Sequence, residues 1–178
     1  MEKNSARTGV LKIIIGWIVV FVIRLMPFRP PNVEPVMTTM MPFAKRYGYL
    51  VGFSFAFLSI AIFDLFTGKL GQWTLITGIT YGLLGISAAW FLPKGKNSIK
   101  SFVIFALFST IIYDAITGLS IGPIFFGQSL SEAFWGQIPF TLWHLAGNIA
   151  FAVTLSPAIE YWIIKNPNLE VKLIHKTI

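Results

Sequence analysis

The sequence predicts an all-α, polytopic membrane bundle of six transmembrane helices with both termini in the cytoplasm, and three observations carry that prediction. Hydrophobic residues fill 55% of the 178 positions and the mean hydropathy is +0.72, so water is a poor solvent for most of the surface. The apolar runs recur near the roughly 20 residues that cross a ~30 Å hydrocarbon layer, where a soluble domain would show amphipathic stripes. The basic residues gather in alternate connections. The formal charge of +7 therefore reports topology and not a nucleic-acid partner, and lipids are the first expected neighbours. No cysteine is present, which removes disulfides, thiolate metal sites and thiol catalysis.

The chain reads as one transmembrane domain, 1–178. Its first span, about 10–26, follows a short basic segment. It is not a signal peptide, because no small-x-small cleavage site follows and Arg24 interrupts the apolar run. The second span, about 33–44, is short but well signalled at its start, with Asn32 as cap and Glu34 and Pro35 in the first turn. Apolar runs place the third span at about 47–66, the fourth at 73–92 and the fifth at 99–116. A long loop then carries Ser129-Leu-Ser-Glu132, a capping box that predicts a short helix over 129–136. Gly136 and Pro139 separate that helix from the sixth span, about 139–164.

Charge decides that the second segment crosses. With six spans the inside holds Lys3, Arg7, Lys12, Lys45, Arg46, Lys94, Lys96, Lys100, Lys165, Lys172 and Lys176, and the outside only Arg24, Arg29 and Lys69, eleven against three. Were the segment re-entrant, the three lysines of 93–100 would face outward, against the positive-inside rule.

An internal repeat runs at an offset of fifty. Aligning 53–68 with 103–118 gives seven identities in sixteen positions, ending in a shared Asp-x-x-Thr-Gly at Asp64–Gly68 and Asp114–Gly118. Both copies enter from the same side, as in carriers built from parallel duplicated halves.

Polar side chains are costly in hydrocarbon, so their placement is informative. In this topology they crowd the outer halves: Asn32, Glu34, Thr38, Asp64, Thr67, Thr77, Thr80, Tyr81, Asp114, Thr117, Gln137, Thr141, His144 and Asn148. Gln137, Thr141, His144 and Asn148 follow i, i+4, i+7, i+11 spacing and form one stripe of the sixth span. The fourth span carries Trp73, Thr77, Thr80 and Tyr81 on its outer half. A second face of small residues, Gly78, Gly82, Gly85 and Ala89, is suited to close helix packing or docking. The pattern predicts a cavity open to the outside and closed below, in which Trp73, Trp135 and Trp143 stack on a planar ligand. Asp64, Asp114, His144 and Asn148 would orient that ligand by hydrogen bonds. The same residues also have purely structural readings. Trp73 and Trp135 suit the interfacial aromatic belt, the two aspartates suit ion pairs with Arg24, Arg29 or Lys69, and His144 suits a bond to a neighbouring helix.

Six spans, cytoplasmic termini, about 180 residues and a polar outer half resemble the substrate-binding membrane subunits, or S components, of energy-coupling factor (ECF) transporters. Arg29-Pro-Pro-Asn-Val-Glu-Pro35, the Asp-x-x-Thr-Gly turns and His144-Leu-Ala-Gly-Asn148 carry the likeness over nearly the whole chain. The resemblance implies a multi-pass protein of a prokaryotic plasma membrane that captures a vitamin-like micronutrient. It implies gating by the first, third and fifth loops, here Asn32, 67–72 and 118–138, and no cofactor. It also implies docking on a transmembrane T subunit driven by two ATPases, and the chain itself has no G-x-x-x-x-G-K-[ST] phosphate loop. The Ala-x-x-x-Ala docking pattern of such subunits is missing from the first span, where Gly16 is the nearest substitute.

Two other classes are consistent with parts of the sequence. A small secondary carrier acting as an oligomer would need a permeation path that the apolar inner halves do not supply in one copy. An intramembrane aspartyl enzyme would pair Asp64 with Asp114, but Ala61-Ile-Phe precedes Asp64 where a Gly-x-Gly context is expected, and both acids are placed at helix ends. A non-enzymatic receptor is the reading adopted.

Overall fold

The computed structural model describes residues 2–30, 32–92 and 99–169, all helical or irregular. The connection 93–98 and the residues from 170 onward, with the lysines assigned to them above, lie outside the described residues. The helices are α1 (Glu2–Leu25), α2 (Val36–Tyr47), α3 (Tyr49–Phe66), α4 (Gln72–Phe91), α5 (Ile99–Phe126), α6 (Leu130–Val153) and α7 (Leu155–Ala158), continued by a π-helical turn, Ile159–Ile164. Among the described residues, four helical segments are long and apolar enough to cross a bilayer: α3, α4, α5 and the stretch Leu130–Ile164. The chain is thus an all-helical membrane protein.

α2 departs most from expectation. It starts at Val36 and not near Asn32, and at 12 residues it rises only about 18 Å, short of the ~30 Å hydrocarbon layer. Every residue from Val36 to Lys45 is buried. Thr38 and Thr39 are enclosed along with the Met, Val and Phe side chains, and α2 is the axis on which α1, α3, α4, α5 and the C-terminal helices pack. Asn32 is not its cap: it adopts a left-handed conformation (φ 63°) in the extended lead-in, and Pro35 occupies the cap position without a side-chain bond. Glu34 is drawn away from the helix start by Arg24 and Arg29, at 3.1 and 2.9 Å.

α2 returns the chain through the protein interior. Its start lies beside Arg24 at the end of α1, and its end is tied by Lys45 to Glu160 at 2.9 Å. At that same end Lys12 of α1 donates to the Ile164 carbonyl (2.8 Å). α1 and α3 consequently run parallel, and Arg24 reaches the Ser59 carbonyl and lies over the Phe63 ring.

α3 and α4 form a tight hairpin. Gly52 of α3 meets Gly85 of α4 backbone to backbone, while Phe53 and Phe57 lie on Gly82 and Gly78. The small face of α4 is therefore occupied within the chain, and Ala89 is half-buried against the core. It is not a free docking face. Gly68, at φ 68°, ends α3 in a Schellman turn, with Lys69 N–H bonded to the Asp64 carbonyl and Gly68 N–H to that of Leu65.

The two copies of the repeat diverge at that glycine. Gly118 does not end α5, which runs ten residues past the expected 116, through Gly122 and Pro123, to Gly127 at φ 65°. Most of the expected 118–138 loop is therefore helix. Gly136 and Pro139 likewise fail to divide α6, which is continuous from its Ser129/Glu132 capping box to Val153. A proline removes one helical bond, and a backbone in hydrocarbon retains all its others because no water replaces them. The expected 139–164 span instead breaks at Thr154, three residues before Pro157.

Candidate functional site

One end of the bundle gathers the charged and aromatic side chains. There the end of α1, the 32–35 lead-in, the α3–α4 turn and the midsections of α5 and α6 surround a cavity of about 240 Å³. Seven residues singled out from sequence line it: Asn32, Glu34, Asp64, Trp73, Thr77, Tyr81 and His144. Arg24, Ile60, Lys69, Tyr113 and Phe140 complete the wall. The sequence offers Arg24 and Lys69 as outer charges and ion-pair partners for the aspartates but not as cavity lining, and the other three carry no polar signal apart from the Tyr113 hydroxyl.

The two aspartates take different partners from those expected. Asp64 accepts a 2.7 Å bond from the Thr74 hydroxyl, which itself accepts from Gly71 N–H, so the acid clasps the α3–α4 turn. Asp114 lies mid-helix, since α5 continues twelve residues beyond it. Its Oδ1 is 2.7 Å from His144 Nδ1. One turn deeper Asn148 donates to the Thr110 hydroxyl (2.8 Å), which donates in turn to the Ala106 carbonyl. Asp114/His144 and Thr110/Asn148 are thus two rungs of a polar ladder between α5 and α6. All four residues are buried, and only His144 reaches the cavity.

The remaining candidates fall elsewhere. Trp135 and Trp143, 68% and 60% exposed, point out of the bundle and cannot stack on a ligand in this cavity. Gln137 and Thr141 bond to each other and line a separate apolar groove of about 250 Å³ between α5 and α6. Thr67 returns its hydroxyl to the Phe63 carbonyl, as Thr117 does to that of Tyr113 at the equivalent repeat position. The proposed stripe of α6 therefore splits: Gln137 and Thr141 line the groove, while His144 and Asn148 are buried and bonded to α5. Spacing puts side chains on one face but does not say what that face meets.

The upper wall is bound by charge. Glu34 bridges Arg24 and Arg29, and the Trp73 indole donates to the Lys69 carbonyl (3.2 Å). The lower wall is aromatic: Tyr81 and Tyr113 lie 4.1 Å apart, and Tyr113 and Phe140 stand edge-on to the His144 ring at 5.7 and 5.9 Å. His144 Nε2 is buried without a hydrogen-bond partner, and the Tyr81 hydroxyl is buried next to Tyr113. Among the described residues, no three His, Asp or Glu side chains assemble as a metal-binding group.

Fold and site together define a helical membrane protein with a small polar-aromatic cavity at one end of its bundle. No known family, curated protein or solved structure matches the chain.

Proposed function

We propose that the chain is the substrate-capture subunit of an ATP-driven importer of the ECF type, crossing a prokaryotic plasma membrane six times and holding a vitamin-like molecule at its outer face. The observation that carries this reading is the cavity itself: ionic and aromatic groups converge at one end, with the unpartnered His144 Nε2 in its wall. Intramembrane polar groups of this kind belong by default to a binding site. Below it the buried Lys45–Glu160 pair and the Met-rich α2 fill the bundle, which favours a receptor over a channel-like carrier. The end opposite the cavity holds Lys12, Lys45, Arg46 and Lys165, which supports placing that end in the cytoplasm. Asp64 and Asp114 each have a partner other than a second carboxyl, which argues against an aspartyl enzyme. Energy would come from a T subunit and two ATPases, because the chain has no phosphate loop of its own.

Native mass spectrometry of the detergent-purified chain tests the reading. A receptor leaves the membrane with a small molecule bound in the absence of ions and ATP. Transport by the chain alone in liposomes would overturn the proposal in favour of a carrier.

A further inference from the structure

We infer that the captured molecule is a small, neutral, planar ring that donates a hydrogen bond to His144 Nε2. The inference rests on the capture reading and narrows it. His144 is 1% exposed, and its Nδ1 lies 2.7 Å from Asp114 Oδ1. The tautomer we infer has Nδ1–H donating to Asp114, which leaves a lone pair at Nε2. That nitrogen is buried, has no partner, and belongs to a side chain that lines the cavity. An unmet buried acceptor is costly, and a donor on the ligand removes the cost.

The walls specify the rest. Tyr113 and Phe140 flank His144 edge-on, and Tyr81 lies against Tyr113, a slot lined by rings that suits a flat partner. The Tyr81 hydroxyl, beside that of Tyr113 in the same wall, supplies a group that can donate to an acceptor on the same molecule. A ring N–H next to a carbonyl, the edge of a lactam, offers both groups. The ionic lining is balanced, Arg24 and Lys69 against Glu34 and Asp64, so no net charge selects an ion. At about 240 Å³ the space is below the roughly 300–1,000 Å³ of drug-sized sites, which admits one ring and leaves out a whole corrinoid or flavin.

Calorimetric titration of the purified full chain with 2-pyridone, N-methyl-2-pyridone and pyridine-2-carboxylate tests this. The expected result is binding of 2-pyridone at least tenfold tighter than either analogue, since one lacks the donor and the other is an anion. His144→Leu should abolish that binding, and His144→Gln, which keeps an acceptor, should restore part of it. Should the leucine variant fail to fold, the comparison among the three probes on the unaltered chain decides. Equal affinity for the N-methyl compound, or preference for the carboxylate, overturns the inference. A co-purified molecule with no hydrogen-bond donor overturns it too but leaves the capture reading standing. Absence of any bound or bindable small molecule sinks both.

Discussion

Ser156 donates a 2.7 Å hydrogen bond to the carbonyl of Thr38, the one carbonyl of α2 that Pro42 leaves without its helical N–H. Both residues are fully buried, so a side chain 118 positions away completes the backbone of the central helix. Ser156→Ala should destabilise the protein by about 1–3 kcal/mol, the cost of a stranded buried acceptor. Pro42→Ala in the same chain should recover part of the loss by returning the missing N–H. Thermal unfolding of the single and double variants in one detergent measures both. Equal stability of Ser156→Ala and the parent would show that the bond contributes nothing.

The ion pair at the opposite end of the bundle from the cavity predicts strong non-additivity. Lys45 and Glu160 meet at 2.9 Å with side chains only 7% and 10% exposed. Removing one partner leaves a poorly compensated buried charge, with Glu160 keeping only the half-exposed Lys165 at 3.6 Å. Lys45→Met or Glu160→Leu alone should therefore cost about 3–5 kcal/mol, while the double replacement should cost much less. A double-mutant cycle read by unfolding would refute this if the two losses simply added.

Where α3 crosses α4, a methyl group added at Gly52 or Gly85 would overlap the opposing backbone, with no flexible side chain to move aside. Gly52→Ala and Gly85→Ala should each cost about 1–3 kcal/mol, as overpacking does. Gly136→Ala, which meets nothing nearby, serves as the control and should leave the unfolding midpoint unchanged or raised.

Orientation can be read chemically because the chain has no cysteine of its own. A single cysteine at Lys69, beside the cavity, should react with a membrane-impermeant maleimide added to intact cells. One at Arg46, at the far end, should react only after the membrane is opened. The reverse pattern would turn the cavity toward the cytoplasm and end the capture proposal.

The outward-facing tryptophans give a fifth contrast. Trp135→Ala and Trp143→Ala should leave the amount of co-purified small molecule unchanged, whereas Trp73→Ala, in the cavity wall, should lower it severalfold. Quantitative native mass spectrometry makes the comparison.

Much of this protein is a matter of local chemistry and was readable in the chain. Apolar run length placed α3 and α4 to within two residues, because a segment in hydrocarbon must satisfy its own backbone. The Ser129/Glu132 capping box starts α6 as its spacing requires. The repeat puts Phe55/Phe105, Ala56/Ala106, Ser59/Ser109 and Asp64/Asp114 on matching buried faces, since equal spacing on two helices gives equal orientation. Gly68 and Gly118, identical in sequence, differ because one has φ 68° and the other sits inside a helix against Gln137.

What tertiary structure alone decided is which neighbour each face meets. A short apolar segment has the same composition whether lipid or protein surrounds it, so nothing in 33–44 marked α2 as the enclosed axis of the bundle. Trp73 and Trp143 are the same residue type, yet one lines the cavity and the other faces outward, because the turn of each helix is fixed by packing against its neighbours. The pairing of Asp114 with His144 joins residues thirty positions apart on antiparallel helices. Sequence supplied both groups and their depth, but only the contact of α5 with α6 brought them within a hydrogen bond.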